Sequence, residues 1–240
     1  FPLLTLPYLT RIFSVDVYGM VAYVKAYMSY VMLLLDFGFL LSATGDIAKA
    51  KDIAAVGRVA GNVFVGKIFL ALLSAIVTFF LAGYMEILQR NQLFLWLYFL
   101  SCVLTVFIPD FLYRGIEKMK YVAIPFAISK ILVIILTYCM IKKDSDLLYI
   151  PGLEILGNTV SAAVSLYFLK KLQIKIIWGG LRSCVADFVN SSIYFLSNFA
   201  TTFFSAFTTI VVGILMQKSD VAYWSLCVQI VAIAKAMYAP

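Results

Sequence analysis

Charged side chains set in apolar sequence are where this chain could do chemistry, and they are few. Lys25 and Asp36 share one apolar block, eleven residues apart; Lys130, Glu154 and Lys235 each stand in another, and Lys67 sits at the mouth of a further one. An ionisable group at the centre of a lipid-embedded helix costs roughly 2.5–3.5 kcal/mol, so such groups face a bundle interior or a watery cavity. At about 100° per residue, eleven residues are three turns, which puts Lys25 and Asp36 on one face about 16 Å apart along the axis. Lys25 and Lys130 are expected to face a shared cavity and to attract an anion. Glu154, Asn158, Ser161 and Ser165 also fall on one helical face, as do Ser191, Tyr194, Asn198, Thr201 and Ser205. Stripes of this kind either glue helices together or line a hydrated path, and the carboxylate in the first favours the path. Lys25, Lys67 and Lys235 admit a second reading, in which the ammonium snorkels to an interface. Asp110 and Arg114, spaced i, i+4 beside Pro109, read as a structural ion pair.

Much other chemistry is excluded by residue type. The chain has no histidine, which removes imidazole acid–base catalysis, a Ser-His triad and His metal ligands. Cys102, Cys139, Cys184 and Cys227 lie far apart without a CxxC pair, so they read as apolar fillers and not as a zinc site or disulfide framework. No glycine-rich phosphate loop, HExxH or GxSxG occurs. No catalytic residue, cofactor or metal is expected. The basic residues are not clustered as a nucleic-acid surface requires.

The elements that must position these groups follow from composition. The chain has 240 residues, 64% hydrophobic and 13% charged, with a mean hydropathy of +1.00. An ordinary soluble domain is about 45–50% apolar and about 25% charged, so this one belongs in lipid. After a partial first block come apolar blocks at Gly19–Leu41, Ile68–Met85, Leu93–Tyr113, Val122–Ile141, Leu147–Leu169, Phe188–Met216 and Val221–Pro240. A spanning helix needs about 20 apolar residues, whereas barrel strands show about 10 of alternating polarity. The fold class is an all-α polytopic membrane protein with about eight spans, opening inside the first and belonging to a longer chain. The connectors after spans two, four and six hold ten Lys or Arg residues, against five after spans one, three, five and seven. Positive charge favours the cytoplasm, so the even connectors are expected inside. The connector at residues 170–187 is the longest and is the expected linker between a six-span bundle, residues 1–169, and the start of a second, residues 188–240. Gly57-x-x-x-Gly61 looks like a close-packing motif set in a charged connector.

Three stretches carry a resemblance. The first is Pro2-Leu-Leu-Thr-Leu-Pro-Tyr-Leu-Thr-Arg11. The second is Tyr18-Gly19 followed by Asp36-Phe-Gly-Phe39, Ser42-Ala-Thr44 and Ile47-Ala-Lys49. The third is Pro109-x-Phe-Leu-Tyr-Arg-Gly115-Ile-Glu117-Lys118-Met119. Together they resemble the Wzx-type polysaccharide-biosynthesis flippases, in the superfamily that also holds MATE exporters and the lipid II flippase. Phe111 stands where that family usually has Trp, Arg114 where it has Gln, and Ser14 where Gly is usual.

The resemblance implies a MATE-like two-lobe helical bundle in the bacterial inner membrane. Its substrate would be an undecaprenyl-pyrophosphate-linked oligosaccharide for O-antigen or a related surface polymer, moved by alternating access among membrane lipids. A polysaccharide polymerase and a chain-length regulator are the implied protein partners. On this reading Lys25, Lys130 and Arg11, with Asn158 and Asn198, are the substrate-binding residues, and Glu154 and Asp36 the ion-coupling ones. Two alternatives stay open: a MATE-like exporter of small cations, which should favour acidic groups, and a membrane enzyme of lipid-linked sugar metabolism, which needs a carboxylate cluster or a long soluble loop.

Overall fold

A computed structural model describes the backbone of residues 2–238 and their side chains, except those of residues 2, 3, 204, 205, 233 and 236–238. The Ser205 side chain and the end of the expected eighth span therefore lie outside what is described. Eleven α-helices are described: α1 (Pro2–Ile12), α2 (Val15–Asp36), α3 (Phe39–Ala48), α4 (Ile53–Tyr84), α5 (Glu86–Arg90), α6 (Gln92–Leu104), α7 (Asp110–Gly115), α8 (Lys120–Met140), α9 (Tyr149–Lys171), α10 (Leu181–Leu215) and α11 (Lys218–Tyr238). Strands are absent among the described residues, as an all-α membrane protein requires. Five helical stretches are long and apolar enough to cross a bilayer, or six if Leu181–Phe203 and Ala206–Leu215, bent by 44°, make one span. The chain is a multi-pass membrane protein.

The count differs from the expected eight at both ends. Over the described residues α1 has 11 residues, about 16 Å at a rise of about 1.5 Å each, which is half a crossing. Helix α11 carries Lys218, Asp220, Gln229 and Lys235 and is not among the apolar stretches.

Local sequence explains the breaks. Helix α2 ends where Phe37 and Gly38 turn left-handed, at φ 44° and 77°, before α3 begins. Only glycine occupies that second position without strain, and the tight space there, described below, also excludes a side chain. Helix α4 starts at Ile53, fifteen residues before the expected apolar block, because Asp52 caps it: its Oδ1 accepts the Ala55 N–H at 2.5 Å. With 32 residues it is about 48 Å long and overreaches the roughly 30 Å hydrocarbon layer.

Packing centres on α2, which touches α4, α6, α10 and α11. One buried apolar cluster joins α1, α2, α6 and α9 with the start of α11, through Tyr23, Val24, Leu95 and Val221 among others. A second joins α3, α4 and α7 with the end of α9, through Phe39, Val63, Leu112 and Tyr113. The phenolic hydroxyl of Tyr113 donates to the Ser165 carbonyl and ties α7 to α9.

Candidate functional site

Helix α2 carries Lys25 into the space between it and the α10–α11 pair. Two cavities meet there. The first, about 340 Å³, is lined by α1, α2, α10 and α11, with Thr5, Tyr18, Ser29, Thr209, Ser225 and Gln229 as polar lining. The second, about 620 Å³ and more open, is lined by Tyr98, Cys102, Asn198, Thr201 and Thr202 with one face of α2. Lys25 and Ser29 line both. Among the described residues, Lys25 is the one charged side chain lining either cavity, and it makes no ion pair.

A third cavity of about 540 Å³ adjoins the second through Met32, Tyr98 and Cys102, and lies between α2, α4, α6, α8 and α9. Its charges are mostly paired. Lys67 lies 3.4 Å from Asp36, and Lys130 lies 3.2 Å from Glu154. Lys67 is buried, not snorkelling, and its ammonium also stands 5.7 Å from the centre of the Phe111 ring. Asp110 lines the same cavity, while the exposed Arg114 makes no ion pair with it, so the expected i, i+4 bridge is not formed.

The expected site residues thus divide. Lys25 and Lys130 line neighbouring cavities and do not share one, although Lys25 lies within Coulombic range of both Lys130 and Glu154. Glu154, Asn158 and Ser161 line the third cavity as one stripe, and Ser165 is buried outside it. Asn158 is committed to the scaffold: its Nδ2 donates to the Ser101 carbonyl at 2.9 Å and hydroxyl at 3.0 Å. Asn198 and Thr201 line the second cavity, whereas Ser191, on the same stripe of α10, is buried against α3. Arg11 is exposed in the last turn of α1 and lines none of the three cavities. Lys235 is exposed.

One polar group gave no sign in the sequence. Gln229 Nε2 donates to the Tyr18 hydroxyl at 3.1 Å, a bond between α11 and α2 inside the first cavity. Gln229 looks like an ordinary member of an apolar block, and only the pairing of the two helices reveals its role beside Tyr18, which the sequence marked by motif alone.

Comparison with known proteins gives the family. The model of a family described as polysaccharide biosynthesis protein matches residues 1–240. The chain belongs to that family. Among curated members, a protein named "Putative O-antigen transporter" from Shigella dysenteriae is 27% identical over 218 residues, covering 89% of this chain and 54% of that protein. One of the same name from Escherichia coli (strain K12) is 25% identical over 228 residues, covering 92% and 54%. The chain spans about half the length of these relatives. No solved structure matches it. Lys25, Tyr18 and Gln229 together line the first cavity.

Proposed function

We propose that the protein carries an undecaprenyl-pyrophosphate-linked oligosaccharide repeat unit from the cytoplasmic to the periplasmic leaflet of the bacterial inner membrane, for O-antigen or a related surface polymer. It acts as a transporter and not as an enzyme. The observation that carries this reading is the unpaired Lys25 ammonium, alone among hydroxyl, amide and aromatic groups in two adjoining cavities. A half-buried cation that makes no direct ion pair among the described residues is stabilised by an anionic ligand, and a pyrophosphate supplies one. Tyr18, Ser29, Asn198, Thr201 and Gln229 offer donors and acceptors for sugar hydroxyls nearby. The names of the two relatives support the same class of cargo.

The arrangement is two lobes, residues 1–169 and 188–240 joined by residues 170–187; the first two cavities, lined from both segments, support it, and the third lies within the first lobe. The basic connectors then face the cytoplasm. Lys130 and Glu154 form a charge pair beside the path, and Glu154 and Asp36 are the candidate ion-coupling groups. A cation exporter would place a free carboxylate where Lys25 stands, and Asp36 and Glu154 are instead each held by a lysine.

The test is surface-polymer complementation by the intact protein. Lys25→Ala should abolish it at unchanged protein level, and Lys25→Arg should keep part of it. Wild-type polymer from Lys25→Ala would reject the anion-binding reading.

A further inference from the structure

We infer that Asn62 is a latch, closing the basic-connector end of the path by clamping the linker and the first turns of α10 onto α4. Asn62 is buried at 2% exposure, yet every polar group of its side chain is used across the gap. Its Oδ1 accepts the Gly179 N–H at 2.9 Å, and its Nδ2 donates to Ser183 Oγ at 2.9 Å and Asp187 Oδ2 at 2.7 Å. One side chain thus holds three points of the segment that enters α10.

The glycines of the close-packing motif prepare its seat. A Cβ at Gly57 would lie 2.1 Å from the Lys175 carbonyl oxygen, and one at Gly61 2.2 Å from that of Ile177. The Ile177 N–H donates to the Gly57 carbonyl at 3.0 Å. Residues 174–180 run without helix in this groove.

The seal continues one turn further along α10. Ser42 and Ser191 meet hydroxyl to hydroxyl at 2.6 Å, and a Cβ at Gly38 would come within 2.7 Å of both the Phe195 nitrogen and the Ser191 carbonyl oxygen. Phe37 stacks on Phe195 with ring centres 4.5 Å apart. Below this closed end lie Asn198 and Thr201, which line the open cavity shared with Lys25. Between that cavity and the basic end, these contacts hold α10 against α3 and α4.

The contacts that must break are the hydrogen bonds to one amide and one serine pair, together with the rings of Phe188 and Phe195 against Phe37 and Phe39. Polar contacts of this kind are each worth little net and can exchange for water as the seam opens. On this inference the 44° bend between Leu181–Phe203 and Ala206–Leu215 is the hinge, with the second half of α10 packed on α2. The direction of opening, though not the existence of the latch, rests on the transport reading given above.

The experiment uses the intact protein with its native cysteines, Cys102, Cys139, Cys184 and Cys227 among them, replaced by alanine. In the Ser42→Cys/Ser191→Cys variant, an oxidant should form a disulfide that stops surface-polymer export, and reductant should restore it. A disulfide that leaves export at the reduced rate overturns the latch, because the contact would then be permanent. Failure of the disulfide to form in the folded protein overturns it as well. A second readout needs no substrate: Thr201→Cys in inside-out vesicles should react with a membrane-impermeant maleimide at least several-fold faster when Asn62 is Ala. Equal labelling rates in folded protein would reject the latch, whatever the cargo proves to be.

Discussion

Lys130 on α8 and Glu154 on α9 stand 3.2 Å apart, with their side chains 26% and 16% exposed. Both were candidates for direct work on cargo or ions, and the pairing gives each a partner. Removing one member leaves the other charge partly buried and uncompensated. Glu154→Gln is therefore expected to lower thermal stability in detergent by about 2 kcal/mol, and Lys130→Met/Glu154→Gln to recover most of it. If Lys130 also touches cargo, the double variant regains stability without regaining export.

The Lys67–Asp36 pair makes a parallel case at the α2–α3 break. Lys67 is the more buried partner, with its side chain 11% exposed against 29% for Asp36. Asp36→Asn should therefore destabilise more than Lys67→Met, since it strands the cation and not the better-solvated carboxylate. Thermal unfolding of the two single variants and the double variant measures the order directly; a double variant no better than Asp36→Asn would argue against the pair.

Orientation is open to labelling. Cysteines placed at Asn91 and Ser145 should react with an impermeant maleimide from outside whole cells, and one at Lys51 only in inside-out vesicles. Asn91 and Ser145 lie in the connectors poor in basic residues, and Lys51 in a rich one. The reverse pattern would invert the proposed direction of transport.

Energy supply is the fourth test. Moving an anionic headgroup outward is favoured by an inside-negative potential, at about 2.3 kcal/mol per charge per 100 mV. Returning an empty site that carries the Lys25 charge inward is favoured by the same field. Collapsing the potential with an ionophore should slow flipping in vesicles severalfold. Unchanged rates would point to downhill equilibration with polymerisation drawing off the product.

The helices and their apolar blocks were legible because a bilayer demands about 20 apolar residues whatever the tertiary structure. The charged residues inside them were legible as interior groups, but their partners were not. Lys67 and Asp36 lie on helices that only folding brings together, and so do Lys130 and Glu154. The start of α4 was placed late, since Gly57, Arg58, Gly61 and Asn62 lower the local hydropathy of what is one continuous helix. Those same residues form the seat for the linker. Asn62 had one signal available, an amide directly following a close-packing glycine, and hydropathy alone discards it.

The groove on α4 receives the linker by its backbone: the closest neighbours of Gly57 and Gly61 are the carbonyl oxygens of Lys175 and Ile177. A groove that reads main chain is indifferent to which side chains pass through it. Substitutions at residues 175–178 that keep the main chain in place leave the fit intact, whereas any side chain at Gly57 or Gly61 must displace the linker from its seat.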